Sequence, residues 1–247
     1  MTTTADPVPG GRPGDPEHAI EQAAELAAAG VTGVALSWVD TAGINRVKTV
    51  PVTALERAAT WGVGMSPVFD TFLADDSIVA TDVLGGPDGD LRLYPDLDEL
   101  VPLAGQPGWA WVPVDRITQD GAVHPACTRT LLRHLVSAAA ADGVTFQSSI
   151  EIEFALALPG GVAFEPACRG PAYGMTRLVE QSEFSAELLR GLAAAGLDVD
   201  QFHPEYAAGQ YEVSVGAVNP VAAADHSVLV RQTIRAVAQR YGLRVSF

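Results

Sequence analysis

The segment Ser149-Ile150-Glu151-Ile152-Glu153-Phe154-Ala155-Leu156 alternates between two kinds of side chain. Successive side chains of a β-strand point to opposite faces, so Glu151 and Glu153 share one face and the large apolar residues share the other. An antiparallel strand with one solvated face explains an isolated Glu-x-Glu pair. Ala155 and Ala157 continue the glutamate face, however, and small apolar residues indicate a covered surface. Covered carboxylates repel each other unless a cation joins them, so a surface strand and a strand at a cation site both stay open.

A second acidic group lies further along the chain, in His203-Pro204-Glu205 and Gly209-Gln210-Tyr211-Glu212. These extended segments flank a turn at 207–210, which can bring Glu205 and Glu212 close together. Taken alone, the pattern slightly favours a hairpin with ordinary surface glutamates. Mg²⁺ and Mn²⁺ nevertheless prefer carboxylate oxygens, and four glutamates from two strand systems suit more than one ion, as phosphoryl transfer commonly requires.

The flanking sequence predicts further helices and strands. A helix begins with Asp15 as N-cap and Pro16 at its first position, and it ends at Gly30. In the first half we expect strands at 31–39 and 44–50 around a turn at 40–43, a short helix at 53–60, and strands at 77–80, 91–94 and 109–112. In the second half we expect helices over 128–143, 182–195 and 220–241, strands at 150–158 and beside the turn, and a last strand at 243–247.

Composition excludes several classes of protein. The chain has 247 residues, a formal net charge of -15 and 48% hydrophobic residues, so a disordered chain is excluded. The acidity argues against nucleic acid or an anionic membrane as partner, but not against a metal-bound nucleotide. No apolar run reaches the length of a membrane span, and the start does not resemble a signal peptide. Two cysteines, Cys127 and Cys168, cannot form a disulfide framework, so we expect a cytoplasmic location.

The two acidic motifs in this order resemble those of the glutamine synthetase family. Asp40-Thr41-Ala42-Gly43 followed by Lys48-Thr49-Val50-Pro51 is similar to that family's N-terminal domain. Gly242-Leu243-Arg244-Val245-Ser246-Phe247 is similar to the stretch before its downstream catalytic motifs. The resemblance covers residues 31–247. It implies an α+β fold, in which a β-grasp-like N-terminal domain precedes a truncated α/β catalytic domain built on an antiparallel sheet. The implied domains are a disordered tail at 1–14, the N-terminal domain at 15–115 and an incomplete catalytic domain at 122–247.

The resemblance also implies an activity and a site. Family members use ATP as cosubstrate to activate glutamate as γ-glutamyl phosphate, which ammonium or an organic amine then attacks. Two or more Mg²⁺ or Mn²⁺ ions are implied, and full-length members form homo-oligomeric rings. The implied metal ligands are Glu153, Glu205 and Glu212 beside glutamate, and Glu151 at the ATP phosphates. Asp200 matches a position that touches ATP, although a solvated acidic loop is the alternative. His203 is implied to orient Glu205 unless it is an ordinary buried histidine, and Tyr173 and Tyr211 are expected to be packing residues.

The chain departs from the family pattern in two places. The region of the ammonium-binding Asp-Gly-Ser-Ser loop is Val63-Gly64-Met65-Ser66-Pro67-Val68, which has no acid, although Asp70, Asp75 and Asp76 follow. This departure favours an organic amine, such as a polyamine, ethanolamine or methylamine, as acceptor. The downstream Gly-x-His-x-His segment and the arginines that hold glutamate and phosphate are also missing, so we expect a fragment that is inactive alone. Two alternatives are a catalytically dead structural or regulatory relative and a small metal-binding α/β protein with unrelated chemistry.

Overall fold

The computed structural model describes residues 16–79, 81, 82, 84, 86–160 and 162–247. The predicted tail at 1–14, the cap Asp15 and Ala80 of one predicted strand lie outside the described residues. The chain divides into two compact units, each described here by itself. The first comprises the described residues up to Pro102 together with Gly108–Thr145, and the second comprises Leu103–Pro107 together with Phe146–Phe247.

The first unit is a mixed sheet covered by helices. Its order is β2-β1-β6-β4-β3, with β5 also pairing with β6, and the β1–β6 pair is parallel while the others are antiparallel. The strands are β1 (Gly33–Val39), β2 (Asn45–Pro51), β3 (Val63–Met65), β4 (Leu91–Pro95), β5 (Val101–Pro102) and β6 (Trp109–Ile117). The helices are α1 (Pro16–Ala28), α2 (Leu55–Trp61) and α3 (Thr128–Ala141), with 3-10 turns at Val52–Ala54, Pro67–Thr71 and Leu97–Glu99.

The predicted β1–β2 hairpin is confirmed. Its turn is held by the Asp40 carboxylate, which accepts hydrogen bonds from the backbone N–H groups of Ala42 and Ile44 at 3.0 and 2.8 Å. The predicted strand at 77–80 is wrong over its described part, because Ile78 forms only an isolated bridge with Phe72. A short β-branched run makes a strand only where a neighbouring backbone can pair with it.

A buried ion pair crosses the first unit and involves Asp70. Its carboxylate accepts from Arg116 Nη1 at 2.5 Å and lies 2.7 Å from His124 Nε2. Burial by itself raises the pKa of Asp70, but the hydrogen bonds from His124 and Arg116 outweigh it, so the net pKa is lowered. With its side chain fully buried, Asp70 serves the interior of this unit and presents no carboxylate to a solvent-borne amine.

The second unit is a four-stranded antiparallel sheet with helices packed against it, and it confirms the antiparallel sheet that the resemblance implies. Its order is β10-β7-β9-β8. The elements are β7 (Glu151–Ala157), α4 (Met175–Glu180), α5 (Ser182–Ala194), β8 (Val199–Pro204), β9 (Gln210–Val215), α6 (Pro220–Arg240) and β10 (Arg244–Ser246). Helix α4 was not predicted. The predicted start of α6 at Asn219 is confirmed, because its side chain caps the N–H groups of Val221 and Ala222 at 3.1 Å.

The alternation in β7 sorts the sheet into an apolar and a polar face. Phe154 and Leu156 of β7 and Tyr211 of β9 are at most 2% exposed and pack on the helix side, where Leu188 and Ile234 are also buried. Burial of these large side chains against α5 and α6 fixes the register, since a one-residue slip would expose all of them. The glutamates therefore face the other side.

The domain boundary expected between residues 115 and 122 stays a prediction. In the division into compact units, α3, which follows that boundary in the sequence, belongs to the first unit. No helix in the described part of the chain is long and apolar enough to cross a lipid bilayer.

Candidate metal centre

Strand pairing aligns three candidate side chains across the polar face of the second sheet. Glu153 of β7 lies opposite Glu212 of β9, and Glu212 lies opposite His203 of β8. Directly paired residues of antiparallel strands project on the same side, so these three form one row. Glu205 follows the end of β8 by one residue. The structure thus brings together four of the residues singled out from the sequence.

His203, Glu205 and Glu212 form the tight part of this site. Each offers one ligand atom within 4.8 Å of the others. His203 lies between the two carboxylates, with Nδ1 3.4 Å from Glu205 Oε1 and Nε2 3.7 Å from Glu212 Oε1. Glu205 is buried and Glu212 is half-buried. Two carboxylates at this spacing with little solvent repel each other, and a shared cation would relieve that repulsion.

The buried Glu205 carboxylate is oriented by neutral donors. Tyr173 Oη donates to Oε1, and the backbone N–H of Tyr206 donates to Oε2 at 3.1 Å. The hydrogen bond to Glu205 raises the pKa of Tyr173 from 10.0 to about 12, so the phenol remains a donor well above neutral pH. The Tyr173 ring also stacks on His203, with centroids 5.0 Å apart. Tyr173 thus packs as expected, and its hydroxyl contact with a predicted ligand is an addition to that role.

Arg177 of α4 holds the backbone beside Glu205, a role that no sequence pattern indicates. Its Nη1 donates to the carbonyl oxygens of Glu205 and Ala207 at 2.6 and 2.7 Å, and its Nε donates to Gly170. The side chain is buried, and Tyr211 Oη donates to the Arg177 carbonyl at 2.7 Å. The expected packing role of Tyr211 is confirmed, with this bond in addition. Arg177 therefore ties the loop after β8 to α4.

The Gln210 side chain links the turn between β8 and β9 to Glu153 by hydrogen bonds. The Gln210 side-chain oxygen accepts from Ala207 N at 2.8 Å, and its amide nitrogen donates to Glu153 Oε2. Gly209 adopts a φ of +73°, and a Cβ there would lie 2.5 Å from the Leu156 carbonyl oxygen. Glycine is thus required both by the left-handed backbone and by its close approach to β7.

Glu151 and Asp200 lie outside this tight group. Glu151 pairs with Ser214, shares the face of Glu153 and lies two residues from it, about 7 Å along the strand. Glu151 would therefore suit a second ion, separate from one held by His203, Glu205 and Glu212. Asp200 is exposed at the irregularity where β8 pairing shifts between Val199 and Gln201. The ligand and ATP roles given to these two residues stay predictions.

At Glu151 and Glu153 the polar face is not covered by any residue that the structure describes. Ala157 is buried as expected, but Glu151 and Glu153 are exposed. The cover inferred from the small residues therefore applies only to one end of β7, where the segment around Pro166 bridges to Ala157.

The donor set fits a divalent cation. Carboxylate oxygens with one imidazole suit Mn²⁺ and Zn²⁺, and carboxylates with water suit Mg²⁺. His203, Glu205 and Glu212 already lie within the radius that one ion spans, and Glu153 lies opposite Glu212 on the adjacent strand. Hydrogen bonds from Tyr173 and Ser214 hold two of the carboxylates in place. Such supporting contacts orient metal ligands.

The class of protein follows from this fold and the comparisons with known proteins. Residues 125–247 match the family described as glutamine synthetase, catalytic domain. The chain belongs to the glutamine synthetase family of ligases, as the motifs predicted.

Among similar proteins, gamma-glutamylpolyamine synthetase GlnA3 of Streptomyces coelicolor is 68% identical over 98% of this chain and 53% of that protein. Gamma-glutamylanilide synthase of an Acinetobacter species is 26% identical over 91% of this chain and 51% of its own length. A solved structure described as a novel glutamine synthase homolog is 33% identical, with a TM-score of 0.76 over 88% of this chain and 51% of that one. The chain spans about half the length of the curated relatives it matches.

Proposed function

We propose that this chain supplies the first part of an ATP-dependent ligase that joins the γ-carboxylate of glutamate to an amine. The observation that carries the proposal is the group formed by His203, Glu205 and Glu212, aligned with Glu153 by strand register. These residues would hold Mg²⁺ or Mn²⁺ beside glutamate, and Glu151 would serve a second ion at the ATP phosphates. When bound, such ions neutralise the charge on carboxylate and phosphate oxygens.

The residues of this chain have separate tasks in the proposed reaction. Tyr173, whose pKa is raised to about 12 by its hydrogen bond to Glu205, is protonated throughout the neutral range and holds Glu205 in a fixed orientation. His203 lies between Glu205 and Glu212 and would offer an imidazole nitrogen to the same ion. Arg177 keeps the loop that carries Glu205 from moving. Asp200 would contact the nucleotide, and its exposed position leaves it accessible.

We further propose an organic amine, with a polyamine first, as the acceptor. The stretch Val63–Val68 has no carboxylate, and the following Asp70 is buried with Arg116 and His124. An alkylammonium brings its own hydrocarbon contacts and depends less on one acid than ammonium does. The 68% identity to a gamma-glutamylpolyamine synthetase supports the same acceptor class. Homo-oligomerisation and inactivity of this chain alone belong to the same proposal.

A chimera tests the ligase. The 247 residues of this chain replace the matching part of the Streptomyces coelicolor relative, and ADP release is measured with glutamate and either spermidine, methylamine or ammonium. We expect spermidine-dependent ADP release that Glu212→Gln reduces at least about a hundredfold and Glu165→Gln leaves unchanged. Ammonium as the best acceptor would refute the amine class. A folded chimera that Glu212→Gln does not impair would refute the metal role.

A further inference from the structure

An exposed tryptophan marks a second candidate site, in the first unit. Trp61 is the last residue of α2, and 69% of its surface is exposed. The other three tryptophans are less exposed, at 5%, 39% and 5% for Trp38, Trp109 and Trp111. A large exposed indole is uncommon on a surface with no binding role, and tryptophan is enriched where proteins contact ligands and partners.

Two cavities meet at this indole. One has a volume of about 310 Å³ and is lined by Arg57, Trp61 and Arg92 among others. The other has a volume of about 470 Å³ and is lined by Trp61, Arg92 and Tyr94 among others. Trp61 and Arg92 form the wall between them. Each volume falls within the range of small-molecule sites.

The wall is built into the fold. Arg92 of β4 pairs with Gly64 of β3 and with Ile117 of β6, so two neighbouring strands fix its position. Gly62 ends α2 with a φ of +66°, and a Cβ there would lie 2.8 Å from Arg92 Cβ and 3.1 Å from the Tyr94 ring. The absence of that Cβ lets both side chains pack against the turn that presents Trp61. The positions of Arg92 and Trp61 are therefore set by the backbone of β4 and of the turn at Gly62.

Two arginines line this place without a carboxylate partner among the described residues. The chain has 30 acidic and 15 basic residues, so carboxylates outnumber cations two to one. Six other arginines form ion pairs: Arg46, Arg116, Arg129, Arg133, Arg190 and Arg240. Arg57 and Arg92 form no ion pair with any carboxylate that the structure describes. Two uncompensated cations that line one cavity attract an anion.

We propose that Trp61, Arg57 and Arg92 bind a small planar anion, an aromatic or heteroaromatic ring that carries a carboxylate or a phosphate. The ring would stack on the exposed indole, and the anionic group would enter the cavity that both arginines line. The site lies wholly within the first unit and does not depend on the proposed ligase activity. It would give the chain a ligand besides glutamate, ATP and the amine.

Four probes separate the parts of this proposal by isothermal titration calorimetry on the unmodified chain. They are 2-naphthoate, 2-naphthyl phosphate, the neutral 2-naphthalenemethanol and inorganic phosphate. We expect both ring-bearing anions to bind at least about fivefold more tightly than the neutral ring or phosphate alone, since stacking and charge each contribute. The tighter of the two anions identifies the carboxylate or phosphate class. Raising the salt from about 50 to about 500 mM should weaken only the anions.

Substitutions of Trp61 and of the two arginines then test whether the probes bind at this site. Trp61→Leu should weaken both anions at least about fivefold, and Arg57→Gln with Arg92→Gln should remove the preference for an anion over the neutral ring. Trp109→Leu and Arg190→Gln are the matched controls, and circular dichroism verifies that each variant is folded. If a variant does not fold, the salt dependence in the unmodified chain decides instead.

Several outcomes would overturn the proposal. One is no binding of either anion at millimolar concentration, and another is equal affinity for the neutral ring. Affinity that is unchanged in folded Trp61 and arginine variants would place the ligand elsewhere. Self-association in sedimentation velocity that Trp61→Leu abolishes would assign the surface to a second copy of the chain.

Discussion

Replacing Glu212 with Gln tests the metal centre through two effects of opposite sign. The ligand atoms of Glu205 and Glu212 lie within 4.8 Å of each other. Two like charges at that separation repel by about 1 kcal/mol at the dielectric constant of water and by about 3.5 kcal/mol at an effective value near 20. The Glu205 and Glu212 side chains are 6% and 13% exposed, and His203 between them offsets part of the repulsion. We expect metal-free Glu212→Gln to be more stable than the unmodified chain by about 1 kcal/mol.

Adding Mn²⁺ should reverse the order of stability. An ion present at about a hundred times its dissociation constant stabilises the folded chain by about 2.7 kcal/mol. Glu212→Gln removes one charged ligand and should lose most of that gain. Urea denaturation with and without Mn²⁺ measures both effects by far-UV circular dichroism. All four tryptophans lie in the first unit, so their emission reports separately on the part of the chain without this centre.

The control carries the same change of charge at an exposed site. Glu165→Gln lies in the second unit, outside the cluster, and should alter neither the metal-free stability nor the response to Mn²⁺. A metal-free Glu212→Gln protein that is less stable than the unmodified chain would refute the repulsion. An unchanged Mn²⁺ response would refute the role of Glu212 as a ligand.

Three other substitutions test the surrounding structure. Asp70→Asn leaves Arg116 buried without its carboxylate and should lower the free energy of unfolding by about 3–5 kcal/mol in urea. Because the pKa of Asp70 is lowered, its contribution is present above the ordinary pKa of 3.8 and is lost as the pH falls through the lowered value, which acid titration of tryptophan emission measures. Tyr173→Phe should weaken Mn²⁺ binding about tenfold, as measured by calorimetry. Because the pKa of Tyr173 is raised, its contribution to the free energy of unfolding is present below pH 10 and is lost as the pH rises to about 12. The Phe variant should not show that loss. Gly209→Ala should destabilise the second unit by about 1–3 kcal/mol by circular dichroism, because its φ is +73° and its Cβ would strike a carbonyl of β7.

Each of these has a matched control in the chain. Asp76→Asn alters a side chain that is 65% exposed, so a loss equal to that of Asp70→Asn would contradict the role of burial. Tyr206→Phe alters a neighbouring exposed phenol and should leave Mn²⁺ affinity unchanged. Gly143→Ala also has a φ of +80° but open space around it, so an equal loss at Gly143 and Gly209 would mean that contact with β7 is unimportant.

The sequence predicts those parts of the site that depend on local periodicity. Alternation in β7 correctly places Glu151 and Glu153 on one face and Phe154 on the other. The Gly-containing turn correctly predicts that Glu205 and Glu212 approach each other. In both cases burial of large apolar residues on the opposite face determines the register, and that pattern is visible in the order of the residues.

The residues that hold the carboxylates could not be predicted in the same way. Tyr173 and Arg177 come from a glycine- and proline-rich stretch without periodicity, and each contacts residues about thirty positions away, with separations of 32 and 28 to Glu205. Tyr173 also has a φ of 56°, a left-handed conformation that is not predicted from a tyrosine in the sequence. Contacts of this kind depend on how the whole unit packs, so a single sequence carries little signal for them.

Asp70 and Glu205 are buried carboxylates, one in each unit, and they differ in the kind of partner that contacts them. Asp70 has a fixed cationic partner, because the guanidinium group of Arg116 contacts it directly. Glu205 has only the neutral donors Tyr173 and Tyr206 and an imidazole, His203, which is cationic only when protonated. A buried carboxylate that serves stability alone would gain from a fixed partner such as an arginine, whereas one that must accept a mobile cation has to be left without it. The absence of such a partner for Glu205 among the described residues therefore favours a binding site over a structural ion pair, and an Mn²⁺ titration of the unmodified chain tests that distinction directly.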